Sequence, residues 1–286
     1  MKRILGIVSS QRVAGNSEIL TKAAMEATGP DHKKELIRLT DLDIKSCKGC
    51  YNCLPPDVPC HIKDDLNYLL DKIRDADAVV LAAPSYFLGP QGSIKMLQDR
   101  FLSISNSFQE FSGKHCITIA TYGMPGAKGY TEVALNVTAR FLNLNLIDSD
   151  SFIGASPAEV LEDPRNLDRA RQMGRGLIDP GYKRTPKVSE CPVCWSDILR
   201  YDGSAIICPF CGTKGEIKVE EQVARLVFSP QADHRFSDEG RRQHFDVFLN
   251  RKKQEFIAKR HYYKKLQAPY LSMDWWVSPP GGSNSK

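Results

Sequence analysis

No apolar run in this 286-residue chain approaches the ~20 residues that a bilayer-spanning helix needs. The first apolar stretch, within MKRILGIVSSQR, follows a basic pair. It is short and ends in polar residues, which excludes the core of a secretory signal and reads as a buried first strand. Neither charge sign dominates: 39 basic and 34 acidic side chains leave a formal +5, which does not by itself argue for nucleic acid. There is no internal repeat, no G-x-G-x-x-G fingerprint and no Walker pattern. What remains is an ordinary soluble composition, 42% apolar and 26% charged, expected in the cytoplasm. Thiols stay reduced there, so clustered cysteines point to metal or redox work rather than disulfides.

The first 180 residues alternate strand and helix signals. Strands are expected at RILGIV (3–8), ELIRL (35–39), AVVLAAP (78–84), CITIATYG (116–123) and LNLIDSDSFIG (144–154). Helices are expected after Ser17, over 64–76 with Asp64 and Asp65 capping, over 93–102, over 131–142 and over 167–179. That alternation predicts a doubly wound five-stranded parallel sheet covered on both faces. The segment 179–190, rich in Pro, Gly and charge, reads as a linker, and SPPGGSNSK at the end reads as disordered. Three domains follow: 1–180, a small module at 187–220, and a basic C-terminal extension at 221–286.

The turn VSSQRVAGNSEIL after the first strand offers hydroxyls and amides at Ser9, Ser10, Asn16 and Ser17, with Arg12 as a cation. A helix beginning near Asn16 would aim backbone N–H groups and its positive dipole end at one phosphate. The simpler alternative is a plain helix cap with a solvated Arg12. The stretch LGIVSSQRVAGNSEIL resembles the phosphate loop of the flavodoxin-like NAD(P)H-dependent FMN reductases, matching at Ser10, Arg12, Gly15, Asn16 and Ser17. DADAVVLAAPSYFLGPQGSIKMLQDR (75–100) resembles that family's flavin loop, and TYGMPGAKGYTEV (121–133) its Gly-rich turn. The resemblance implies a flavodoxin-like fold. It places FMN against Pro84, Ser85, Tyr86, Phe87, Gly89, Thr121, Tyr122 and Gly123, with NAD(P)H as a donor. No residue stands out as an acid or base; Tyr86 and Arg100 are the catalytic candidates.

CKGCYNCLPPDVPC holds Cys47, Cys50, Cys53 and Cys60. Zinc accepts four thiolates, yet its sites usually pair two separated C-x2-C knuckles. Three cysteines at intervals of three with a more distant fourth is the layout of ferredoxin-type cluster loops. Free thiols in a packed turn are the third reading. The run is similar to that of the iron–sulfur flavoproteins, a branch of the same family. This likeness implies a 4Fe–4S cluster at 47–60, with His61 beside it in the exposed loop.

A second set, Cys191, Cys194, Cys208 and Cys211, forms two knuckles and resembles both zinc ribbons and the rubredoxin-like module, which takes one iron. Trp195 stands where a rubredoxin knuckle usually has Gly, so zinc is the expected occupant. Cys116, alone in a strand-like run, reads as a small buried apolar residue. Beyond the module, residues 237–266 read as one amphipathic helix. Ser237 is its N-cap, and Phe245, Phe248, Leu249, Phe256 and Ile257 share one face, expected to pack on the body or a partner subunit. Interspersed acids argue against nucleic acid there. Trp275 and Trp276 are left without a role.

The resulting expectation is an FMN-dependent oxidoreductase coupling flavin to a 4Fe–4S cluster and passing electrons to a small acceptor or a ferredoxin-type carrier. The resemblance also implies a homo-oligomer, a dimer or tetramer. Two rivals stand beside it: a cluster-free NAD(P)H-dependent FMN or quinone reductase, and a redox-responsive nucleic-acid-binding protein.

Overall fold

A computed structural model describes all residues except 55–57, 106, 221–222, 230–233, 274, 276 and 278–286. The expectations for Trp276 and for the terminal SPPGGSNSK lie outside the described residues. No helix among the described residues is long and apolar enough to cross a membrane.

The chain runs β1 (Arg3–Val8), α1 (Asn16–Glu26), β2 (Lys33–Arg38), α2 (Leu66–Asp75), β3 (Ala78–Tyr86), β4 (Gly89–Pro90), α3 (Gly92–Asp99), β5 (His115–Tyr122), α4 (Thr131–Phe141), β6 (Asn145–Ile153) and α5 (Pro164–Gly176). Five strands form a parallel sheet in the order β2-β1-β3-β5-β6, and the short β4 pairs back on β3. This is the flavodoxin-like doubly wound fold. The strand order reverses between β1 and β3, where such sheets bind ligands.

The sheet is buried on both faces because successive side chains of each strand serve opposite layers. In β1, Leu5 and Ile7 join the layer with α2, α3 and α4 through Leu69, Ile94 and Leu135. Ile4 and Val8 join the other layer with α1 and α5 through Leu20 and Met173. Helices α1 and α5 approach so closely that a Cβ on Gly174 would lie 1.9 Å from the Ala24 carbonyl oxygen. Cys116 is fully buried, as its strand context suggested, and burial pushes its thiol well above the ordinary value.

Some expected boundaries move. Helix α5 starts at Pro164, not 167: Asp163 accepts from the Arg165 amide, and Pro164 sits in the first turn, where its missing N–H costs nothing. Asp65 precedes α2, but its carboxylate accepts from the Asp43 amide. Asp64 accepts from the Leu66 amide at 3.2 Å and is otherwise engaged by Arg100. Helix α3 ends at Asp99, and a tighter turn covers Phe101–Ile104.

The segment read as a linker lies along β6 instead. Arg184 N donates to the Ile147 carbonyl, and the Tyr182 hydroxyl donates to Asp148 at 2.6 Å. The following module carries β7 (Arg200–Tyr201), β8 (Ile206–Ile207), β9 (Lys214–Glu220) and β10 (Val223–Phe228) in one antiparallel sheet. The boundary read between 220 and 221 falls inside this sheet, leaving β9 in the module and β10 in the extension.

The helix expected at 237–266 is interrupted. Ser237 caps α6 (Asp238–Arg242) by accepting from Gly240 N at 3.0 Å. A wide π-helical turn follows at Gln243–Leu249, then α7 (Asn250–Ala258), a break at Lys259 and α8 (Arg260–Leu271). The wide turn shifts the angular phase of the helix, so the expected apolar face does not stay on one side. Phe245 is buried against Phe108 and Phe141, and Leu249 packs on the core. Phe248, Phe256 and Ile257 are exposed, so of the two surfaces expected to cover this face, body or partner subunit, the chain's own body does not cover these three.

Candidate functional site

Strand β1 ends beneath a loop whose carbonyls are gathered from behind. Ser9 N donates to Ala82 O, and the Ser9 hydroxyl meets Gln91 and Ser93 at the start of α3. Arg38, at the end of β2, donates to the carbonyls of Ser10 and Arg12 and pairs with Glu18 at 2.7 Å. Glu18 also accepts from Ala14 N. Burial works against the Glu18 charge, but Lys22 and Arg38 hold its carboxyl below the ordinary range. With carbonyls and carboxylate neutralised on this side, the amino end of α1 is left free to attract an anion.

A cavity of about 250 Å³ opens in front of this loop, at the carboxyl ends of β1, β3 and β5. Ser10, Arg12, Asn16, Ser17, Pro84, Ser85, Tyr86, Thr121, Tyr122 and Gly123 all line it. The Ser17 and Thr121 hydroxyls lie 2.8 Å apart, tying α1 to β5. Asn16 spends its amide on the carbonyls of Gly154 and Ser156, and one Arg12 nitrogen donates to Ala155 O at 2.7 Å. Gly154 and Ala155 therefore form a further wall, after β6, that sequence reasoning missed. Arg38 was missed as well; its only sequence signal is a cation at the end of a strand.

Three proposed residues lie off the cavity lining. Gly15 is the extended residue before α1. Phe87 is fully exposed at the tip of the β3–β4 hairpin, where Phe87 and Leu88 both take left-handed backbone angles (φ 51° and 65°). Gly89 is buried under Tyr130, and a Cβ there would come within 2.7 Å of the ring. The hairpin is fastened to the following loop: Tyr130 N donates to Leu88 O, and the Ser85 hydroxyl to Lys128 O. Around the opening, Tyr86, Phe87, Leu88, Met124 and Tyr130 expose apolar surface. The residues present fit FMN, with a cationic helix start for its phosphate and an aromatic rim with close backbone for its ring.

Arg100 is not part of this cavity, which removes it as a flavin-site acid. It is buried (2% exposed), pairs with Asp64, and donates to Lys45 O at 2.9 Å and to the Cys60 sulfur at 3.4 Å. Burial disfavours its charge, yet Asp64 and Cys60 raise its pKa further above the ordinary value. Arg100 thus belongs to the cysteine loop. There Cys47 and Cys50 are exposed, Cys60 half-buried and Cys53 buried. Burial, then the neighbouring Cys60, Cys50 and Cys47, push the Cys53 thiol up. Gly49 N reaches the Cys47 sulfur at 3.4 Å, and His61 Nδ1 lies 3.9 Å from the Cys50 sulfur. Four thiols on one loop, with a guanidinium donor reaching Cys60, supply the ligand chemistry of an iron–sulfur cluster, but among the described residues these four sulfurs do not converge as a ligand group.

The second set is already gathered. The Cys191, Cys194, Cys208 and Cys211 sulfurs lie within 4.8 Å of one another, all buried. Trp195 and Gly212 occupy equivalent left-handed positions (φ 57° and 84°). Each donates its amide back to the first cysteine of its knuckle, Cys191 O or Cys208 O, at 2.9 Å. Trp195 thus takes the turn that glycine takes in its twin. Four converging thiols with no open position fit a closed, structural metal site.

A flavodoxin-like sheet with a phosphate-ready loop at its switch point defines a flavin-binding oxidoreductase. The NADPH-dependent FMN reductase family matches residues 2–157, and the chain belongs to that family. Over 191 residues it is 28% identical to the iron-sulfur flavoprotein MJ1083 of Methanocaldococcus jannaschii, covering 62% of this chain and 96% of that one. An iron-sulfur flavoprotein of Archaeoglobus fulgidus is 30% identical over 164 residues, covering 56% and 81%. A flavone synthase, cfoJ of Aspergillus candidus, aligns over 97% of this chain and 98% of its own at 23% identity. A solved structure titled flavone reductase shares the fold over 97% of this chain and 99% of its own, with a TM-score of 0.75 and 23% identity. The protein is an FMN-dependent oxidoreductase.

Proposed function

We propose that the enzyme exchanges electrons between a nicotinamide donor, FMN in the switch-point cavity and a flat, conjugated aromatic ketone, with a 4Fe–4S cluster on Cys47, Cys50, Cys53 and Cys60. The observation that carries this reading is the cavity itself, with its cationic loop and an exposed rim of Tyr86, Phe87, Leu88, Met124 and Tyr130. Support for the acceptor class comes from two proteins that align along nearly the whole chain and are named for flavone. The cluster is supported by the iron-sulfur flavoproteins that match the amino-terminal part, and by the thiol set beside Arg100.

When bound, FMN supplies two-electron hydride chemistry and single-electron release, and a cluster supplies one-electron exchange. The chain's own groups do the positioning. Arg12, Ser10 and the start of α1 hold the phosphate, while the Ser17–Thr121 contact and the Asn16 amide fix the walls. Reduction of a conjugated carbon–carbon double bond adds one hydride and one proton. We assign delivery of that proton to Tyr86, which lines the cavity and is half-exposed.

Anaerobically isolated protein is expected to carry one FMN and about four iron atoms per chain at the first cysteine set, and to oxidise NAD(P)H when flavone is added. A colourless protein that takes up no FMN would end this reading. A yellow protein without iron would leave the cluster-free reductase.

A further inference from the structure

The metal knuckle reaches the flavin site through one ion pair. Asp197, three residues after Cys194, holds Lys128 at 2.7 Å, and Lys128 also meets Glu132 at 3.1 Å. Lys128 belongs to the loop between β5 and α4. Its carbonyl accepts from the Ser85 hydroxyl on the cavity wall, and Tyr130, two residues on, anchors the Leu88 carbonyl. Gly129 between them is left-handed (φ 58°), and a Cβ there would lie 1.8 Å from the Leu88 oxygen. The loop therefore has no slack, and whatever fixes Lys128 fixes Ser85, Leu88 and the aromatic rim.

On the module's side, Asp197 is held as firmly. Cys191 N donates to Ser196 O at 2.9 Å, and the Ser196 hydroxyl bridges to Ile198. The Trp195 ring is buried between two guanidiniums, with Arg184 at 4.4 Å and Arg140 at 5.6 Å from its centroid. Arg184 is itself anchored by Glu190 at 2.8 Å and Asp148 at 3.4 Å. A metal on the four converging sulfurs would hold the knuckle that carries Asp197 in this form, in a module with a small core of its own.

We infer that the Cys191/Cys194/Cys208/Cys211 metal acts as a strut for the flavin site, with Asp197 as the positioning residue that transmits it through Lys128 to the 123–130 loop. The module then sets FMN affinity without touching FMN. The inference rests on the assignment of FMN to the switch-point cavity.

The test is a titration of FMN into deflavinated full-length protein, read by quenching of flavin fluorescence, with metal counted in each variant. Asp197→Ala and Lys128→Met are each expected to weaken FMN by roughly fivefold with metal content unchanged. The double variant is expected to be no weaker than either single, and Asp197→Glu to restore most of the loss. Cys208→Ser, which removes the ribbon metal, is expected to reproduce the same weakening, and adding Asp197→Ala to it to change nothing more. Wild-type affinity in Asp197→Ala overturns the inference. So does additive loss in the double variant, because independent sites add. Arg12→Ala separates the two assignments. If it loses FMN while Asp197→Ala does not, the cavity stands and the strut falls; if Arg12→Ala binds normally, both fall.

Discussion

Arg38 belongs to no motif, yet it donates to two carbonyls of the phosphate loop and neutralises Glu18 beneath it. Charge-assisted bonds of this kind contribute about 1.5–3 kcal/mol each. Arg38→Ala is therefore expected to weaken FMN at least tenfold, or about 1.4 kcal/mol, with Arg38→Lys intermediate because an ammonium cannot fork to both partners. Fluorescence titration measures both, and an unchanged Arg38→Ala would show that the loop stands unaided. The sequence exposed Ser10, Arg12 and Ser17 because they sit together in one turn. Arg38 is remote in sequence and becomes their neighbour only when β2 pairs with β1.

Arg100 shows the converse. A cation on the helix after the flavin loop invited a flavin role, but folding turns it to Asp64 and Cys60. Removing one partner of a buried pair leaves the other charge uncompensated, at a cost of about 3–5 kcal/mol. Arg100→Met is expected to lower stability by that order in urea melts, and Arg100→Met with Asp64→Asn to recover part of it. Equal stability in the two variants would deny the pairing.

Among the elements, the sheet and its helices were legible because burial on two faces writes continuous apolar runs, as in AVVLAAP. The C-terminal helices were legible only in part. An apolar stripe over 237–266 records helical period but not the wide turn at Gln243–Leu249. That turn leaves Phe245 among Phe108 and Phe141 while Phe256 faces solvent. Phe245→Ala is expected to cost about 3–5 kcal/mol, whereas a chain ending at Lys259 should melt as the full chain does, since no residue of α8 is buried. A comparable loss on both changes would mean that α8 packs where the structure leaves it free. The β9–β10 hairpin was hidden for another reason: its strands alternate in β9, but no Gly or Asn turn signal stands between them in the sequence.

At the scale of the whole molecule, both cores depend on carboxylates buried as charges. Burial raises the pKa of Glu18, Asp64 and Glu132, but partners win in each case. Lys22 and Arg38 lower Glu18, Arg100 lowers Asp64, and Ser151, Lys128 and Ser149 lower Glu132. A carboxyl whose folded pKa lies below its unfolded value binds its proton more weakly in the native state. Its stabilising effect is complete above the unfolded value, near pH 4.5 for a glutamate, and is lost as pH falls through the folded value. Urea midpoints should therefore hold from pH 7 to about 5 and fall steeply below. Glu132→Gln should lower the midpoint at pH 7, because the amide carries no charge for Lys128 and keeps only one of the two oxygens that accept from Lys128, Ser149 and Ser151. Its deficit against wild type should shrink on acidification, as the wild-type carboxyl becomes neutral too. Curves that stay parallel down to the acid limb would show that Glu132 is not held as a charge, and the anchor shared with Lys128 and Asp197 would lose its electrostatic basis.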